Sequence, residues 1–170
     1  MTPLPHRGGE PSRLGFSLLV PTDSRSEGDD VTTPLVESLL VSLGHGLVEA
    51  RRVANDAARI RAAAQELLSR DDVDALVVSG GTGFSPRDVS VEALRSLVDR
   101  EAPGFGEIFR RLSFDDIGAA ACLSRAFAGA VGRRVLFVLP GSPAAVELAL
   151  RRLIFPVAAH WIGQLRKEEG

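Results

Sequence analysis

Short apolar runs alternate with segments whose apolar residues recur at helical spacing, and this alternation leaves the chain few folds to choose from. Residues 14–20 (LGFSLLV) make one run, closed by Pro21, and residues 75–79 (ALVVS) make another. Such runs, bounded by turn signals, suit strands buried on both faces. Between them residues 46–53 (GLVEARRV) read as a strand that also carries charge. Val36, Leu39, Leu40 and Leu43 share one face of a helix with Pro34 in its first turn and Gly44 as its stop. Ile60, Ala63, Ala64, Leu67 and Leu68 line a second helix. The order strand–helix–strand–helix–strand predicts a mostly parallel sheet covered by helices on both faces.

The second half is less regular. Residues 91–98 (VEALRSLV) predict a helix, residues 103–112 (PGFGEIFRRL) a loop leading into another, and residues 113–123 (SFDDIGAAACL) a helix of small residues. Residues 125–141 hold two strands joined through Gly132 and Arg133, the stronger at 135–139. In residues 142–154, Ser142 is placed to cap a helix, Pro143 enters its first turn, and Val146, Ala149, Leu150 and Leu153 form its apolar face. Pro156 is expected to end or kink it.

Composition excludes several classes of function. The chain has 170 residues, 45% of them hydrophobic, enough for one domain with a proper core. A formal net charge of −2 gives no general attraction to nucleic acid or to an anionic membrane. One cysteine, Cys122, excludes a disulfide framework, and His6, His45 and His160 show no metal-ligand spacing. No apolar run approaches a bilayer span, and the opening MTPLPHRGGEPSR lacks a signal peptide's apolar core. The expectation is a flexible tail over residues 1–13, a domain over 14–165, and a cytoplasmic protein.

In an open α/β sheet ligands bind beyond the carboxyl ends of the strands. Three loops leave such ends: PTDSRSEGDD after the first strand, SGGTGFSPRD after the third and PGSP after the last. Gly80, Gly81 and Gly83 let backbone N–H groups turn toward an anion, as a nest. The loop lacks the lysine of a P-loop, because Phe84 follows the last glycine. Asp88 reads either as a helix cap or as a carboxylate for Mg²⁺ beside phosphates, and Ser90 offers another cap. Arg87 is a surface arginine or a phosphate partner. Asp23 either pairs with Arg25 or reaches the same pocket. Glu107 suits a helix's first turn, Ser124 and Arg125 the polar end of a helix, and Ser142 a cap whose helix N-terminus also favours anions.

The motifs SGGTGFSPRDVS, PGFGEIFR, LSRAFAG and LPGSPAAV, in this order and at these distances, resemble the molybdenum cofactor biosynthesis domain. Within it, the chain is similar to the stand-alone MoaB/MogA-type proteins, relatives of molybdopterin adenylyltransferase, over residues 14–162. The resemblance implies a three-layer α/β/α sandwich with a mostly parallel central sheet, the MogA-like fold, assembled as a homotrimer or homohexamer. It implies molybdopterin and ATP as substrates, Mg²⁺ as cofactor, and possible company from other cofactor-synthesis proteins. In such enzymes the terminal phosphate of molybdopterin attacks the α-phosphorus of ATP, releasing pyrophosphate. The resemblance casts Asp88 as the catalytic Mg²⁺ anchor. It casts Asp23, Ser79, Gly80, Gly81, Thr82, Gly83, Arg87, Glu107, Ser124, Arg125, Pro140, Gly141 and Ser142 as substrate-binding.

The family carries a second functional aspartate where the helix after the second strand begins. Here Asn55 stands in that place, with Asp56 beside it. The expectation is that Asp56 turns toward the pocket and supplies the missing charge, and that Asn55→Asp keeps or raises activity. On the residues alone, Asn55 reads as a helix cap. Two other functions compete with an adenylyltransferase: a pterin-binding protein that has lost transfer, favoured by Asn55, and an oligomeric scaffold, disfavoured by the lack of extra domains.

Overall fold

The computed structural model describes residues 11–23 and 30–167. Most of the expected tail, and Arg25 as a partner for Asp23, lie outside the described residues. The chain runs through β1 (Gly15–Pro21), α1 (Thr32–Ser42), β2 (Gly46–Val53), α2 (Ala57–Ser69), β3 (Ala75–Ser79) and α3 (Ser90–Arg95). It continues through β4 (Arg100–Glu101), α4 (Pro103–Ile117), β5 (Phe127–Val131), β6 (Arg134–Leu139), α5 (Pro143–Ala149) and α6 (Phe155–Leu165). The six strands form one sheet in the order β2-β1-β3-β6-β5-β4. β2, β1, β3 and β6 are parallel neighbours, while β5 runs antiparallel to both β6 and β4.

Alternation along each strand splits the core in two. Phe16 and Leu18 of β1, Ala75 and Val77 of β3, and Phe137 of β6 face α1, α4, α5 and α6 through Leu40, Phe109, Val146 and Ile162. Leu19, Leu76, Val78, Leu136 and Val138 face the opposite way, onto Ile60, Ala64 and Leu67 of α2 and Leu94 of α3. The result is the three-layer α/β/α sandwich with a mostly parallel central sheet that the sequence predicts.

Two expectations need correction. Residues 103–117 are one helix, not a loop followed by two helices, and residues 118–123 add a 3-10 turn. Pro103 opens that helix, where its missing N–H costs nothing. Gly106 is buried inside it because a side chain there would meet the Ala126 carbonyl at 2.6 Å. Gly118, at φ +61°, ends it. Of the two outcomes expected at Pro156, an end or a kink, the helix end does not occur. A π-helical turn at Leu150–Ile154 joins α5 to α6, and it shifts the hydrogen-bond register just ahead of the proline. Proline has no N–H for the carbonyl four residues back and crowds it, and a π-turn relieves both problems.

His45 ties the start of β1 to α6. Its ring lies 5.7 Å from Phe16 and 5.8 Å from Phe155, and its Nδ1 accepts the Leu14 N–H at 3.3 Å. Burial holds its pKa below the ordinary 6.5, against an opposing pull from Asp74. The neutral ring is therefore the native form. Its contribution is present above about pH 6.5 and is lost as pH falls through the lower folded value. Melting temperature is expected to fall between about pH 8 and pH 5, and His45→Gln to flatten part of that slope. An identical slope in the variant would remove His45 from the account.

Candidate functional site

The four parallel strands end on one edge of the sheet, and β1 has its successors β2 and β3 on opposite sides. That reversal opens a crevice beyond the carboxyl ends of β1 and β3. The loop after β3 is drawn into it. Gly80 donates its N–H to Leu139 O at 3.0 Å, and Ser79 Oγ donates to Pro140 O at 3.4 Å. A side chain on Gly80 would come within 3.2 Å of Pro21 O, and one on Gly141 within 3.3 Å of Gly80 Cα. Ser79, Gly80, Pro140 and Gly141 thus meet across the ends of three strands. Gly80 and Gly81 take φ of +122° and +66°, conformations that favour glycine.

Arg125 organises the rest of the loop. Its Nε donates to Thr82 O at 3.2 Å, its Nη2 to the carbonyls of Gly83 and Asp88, and its Nη1 to Glu92. Its guanidinium carbon lies 5.2 Å from the centre of the Phe84 ring, which occupies the place of a P-loop lysine. The Glu92 carboxyl is held below its usual range by its own backbone N–H and then by Arg125. These bonds leave little of the guanidinium for a ligand, so the expected substrate-binding arginine is a brace of the loop. With those carbonyls drawn toward Arg125, the N–H groups of Gly81, Thr82 and Gly83 have no acceptor among the described residues. N–H groups left without an acceptor in this way are what a nest requires.

The Asp88 carboxylate lies against that nest. Its Oδ2 accepts the Ser85 N–H at 3.0 Å, and a side chain on Gly83 would meet the same oxygen at 2.7 Å. It does not cap α3, which has no side-chain cap. Asn55 reaches the loop from α2's side: its Nδ2 donates to Arg87 O at 2.5 Å and its backbone N–H to Asp23 Oδ1 at 3.2 Å. Asp23, Asn55, the Arg87 backbone and Asp88 therefore belong to one cluster, while Arg87 as a residue is exposed.

Asp56 is placed elsewhere. It is exposed and is itself the cap of α2, with Oδ1 accepting the Arg59 N–H at 2.9 Å. The expectation that it turns toward the pocket is corrected, and so is the reading of Asn55 as the cap. The first turn of a helix leaves N–H groups unpaired, and Asp56, in extended conformation, is positioned to take one. Asp56→Ala is expected to cost about 1 kcal/mol of stability, the worth of a cap. A urea titration beside a turnover assay would show it, and a tenfold or so loss of turnover at unchanged stability would restore Asp56 to the site.

Ser142 caps α5 through Ala145 N at 3.3 Å. Glu107 and Ser124 line a cavity of about 400 Å³ together with Glu92, Arg95, Arg110 and Arg125. Arg125 belongs to both this cavity and the glycine loop. Sequence reasoning missed Glu92 and Arg110, and offered Ser90 only as a cap, which α3 does not have. Glu92 and Ser90 sit in a six-residue helix that the pattern marks only as amphipathic, and Arg110 gives no signal beyond helical spacing. Ser90 Oγ and Asn55 Oδ1 are both buried without a hydrogen-bond partner beside the loop.

No group of three or more His, Cys, Asp or Glu among the described residues could hold a metal by itself. Mg²⁺ does not need one: it takes one or two carboxylates and completes its shell with phosphate oxygens and water. Asp88 is the carboxylate beside the loop that such an ion would use, and Asp23 is engaged by the Asn55 backbone N–H at 3.2 Å.

Fold and site together define an α/β protein with a lysine-free, glycine-built loop at its topological switch point. Residues 15–160 match the family described as "Probable molybdopterin binding domain". The chain is 38% identical over 164 residues to molybdenum cofactor biosynthesis protein B of Bacillus cereus, covering 96% of this chain and 97% of that one. A crystal structure of molybdenum cofactor biosynthesis protein B superposes with a TM-score of 0.89 at 38% identity, over 93% of this chain and 99% of the other. The tungsten cofactor synthesizing protein MoaB from Pyrococcus furiosus does so with a TM-score of 0.82 at 32% identity, over 92% and 99%. The chain belongs to the MoaB/MogA family of molybdenum cofactor biosynthesis proteins.

Proposed function

We propose that the protein adenylylates molybdopterin, using ATP and releasing pyrophosphate. The observation that carries the reading is the glycine loop, whose N–H groups at Gly81, Thr82 and Gly83 have no acceptor among the described residues, beside the Asp88 carboxylate. A terminal phosphate oxygen of molybdopterin forms a bond to the α-phosphorus of ATP, and the bond from that phosphorus to the β-phosphate bridge breaks. Such transfer is mostly positioning and charge stabilisation, so no covalent protein nucleophile is required. The N–H groups of the loop orient phosphate oxygens and stabilise their charge. Asp88 would hold Mg²⁺, which when bound neutralises charge on the phosphates. Glu107 and Ser124 line the adjoining cavity, of a size for the pterin.

Pyrophosphate release from Mg-ATP, with and without molybdopterin, tests the reading. Release that depends on molybdopterin supports it. Molybdopterin binding without release would favour the second reading, a pterin-binding protein, for which the neutral Asn55 in the cluster speaks.

The assembly we propose is a homotrimer or homohexamer. The C-terminal segment FPVAAHWI, readable either as a subunit contact or as core packing, buries Ala158 and Ile162 in its own core, sets Trp161 edge-on to Phe137 at 5.8 Å and leaves Val157 exposed. Exposed Ile108, Phe114, Ile117 and Leu123 on α4 and the turn after it offer further apolar surface. Light scattering is expected to give a multiple of three protomers, and a monomer at micromolar concentration would defeat the assembly.

A further inference from the structure

We propose that Asn55 is a positioning residue whose amide holds the glycine loop in its anion-binding form, and that an aspartate at this position would loosen the loop. The inference rests on the loop being the phosphate site. A carbonyl oxygen only accepts, so the Asn55 atom facing Arg87 O must be the Nδ2 donor. That assignment turns Oδ1 inward, where it is buried without a partner and would lie 3.3 Å from any side chain placed on Gly81. The buried, unpartnered Ser90 Oγ crowds the same Gly81 position. Asn55 thus grips the loop at Arg87, the residue before Asp88, while Arg125 grips it at Thr82, Gly83 and Asp88 from the other side. The two together draw four carbonyls away from the ligand space and leave the N–H groups of Gly81, Thr82 and Gly83 for an anion.

An aspartate at 55 has no donor to offer. Its oxygens would face the Arg87 carbonyl, and they would add a second carboxylate to a residue whose backbone N–H already donates to Asp23 at 3.2 Å. A lone-pair contact would replace a hydrogen bond, and like charges would add to it. The chain's amide is therefore a tether and not merely a lost charge, and the two readings order the variants oppositely. A tether makes Asn55→Asp worse than Asn55→Ala. A lost charge makes Asn55→Asp better than the wild type.

Hydrogen exchange read on peptides spanning residues 83–90, in the full chain without ligand, gives the first measurement. Exchange is expected to quicken about fivefold in Asn55→Ala, the worth of one hydrogen bond, and further in Asn55→Asp. Peptides from β3 and the melting temperature are expected to hold. Steady-state kinetics gives the second: KM for ATP rises by a similar factor, because the loop must be ordered on binding, while kcat at saturation stays within about twofold. Unchanged exchange in Asn55→Ala, faster exchange with unaltered KM, or an Asn55→Asp variant equal to or better than wild type would each overturn the proposal. A wild type that releases no pyrophosphate would sink the adenylyltransferase reading separately, and the order of the exchange rates would then decide the tether by itself.

Discussion

Asp88→Asn is expected to lower pyrophosphate release by about a hundredfold or more, the size of losing one group that stabilises transition-state charge. The melting temperature is expected to change by no more than about 2 °C, as a surface change below about 0.5 kcal/mol would. The two outcomes separate because the carboxylate has two functions. As an acceptor it takes the Ser85 N–H at 3.0 Å, and an asparagine oxygen can take the same bond. As a charge beside the unpaired N–H groups of the glycine loop it has no neutral substitute. Rapid-quench or continuous pyrophosphate assays next to a thermal melt give both numbers. Near wild-type turnover would reduce Asp88 to a brace of its own turn and leave the proposed mechanism without its metal anchor.

Gly81→Ala is expected to destabilise the fold by about 2–5 kcal/mol and to abolish measurable ATP binding. Residue 81 has φ +66°, which costs a residue with a side chain about 1–2 kcal/mol. The added methyl would also run into Ser90 Oγ and approach Asn55 Oδ1 at 3.3 Å, and overpacking of this kind costs about 1–3 kcal/mol. Ser90 cannot swing clear, since it is fully buried at the start of α3. The cheaper escape is movement of the loop, which scatters the N–H groups. Urea unfolding reads the first effect and calorimetry with ATP the second. A variant as stable as wild type, binding ATP normally, would show that the glycine is not required and that the nest is not the phosphate site.

The fold was legible because burial imposes simple periods. Residues 75–78 must be apolar throughout when helices cover both faces of β3, and Ile60, Ala63, Ala64 and Leu67 must recur at helical spacing to face it. The convergence of the loops after β1, β3 and β6 was legible for the same reason, since parallel strands put those ends on one edge. Local exceptions were not. PGFG spells a loop by propensity, yet Gly106 serves a helix pressed against the Ala126 carbonyl. Pro156 spells a helix end, yet a π-turn carries the helix past it.

The site divides in the same way. Sequence alone determined the parallel α/β architecture, the glycine loop at the end of β3, and the family to which the chain belongs, because each is written in residues close together along the chain. Tertiary structure decided what those residues are free to do. Arg125, thirty-seven positions beyond Asp88, turns from a candidate ligand contact into the brace of the loop, and Asn55, thirty-two positions before Arg87, becomes its tether. Asp56, the next residue after Asn55, is taken up by the first turn of α2. A side chain's hydrogen-bond partners depend on which distant carbonyls the fold brings within about 3 Å of it, and no local pattern of residue types encodes that distance.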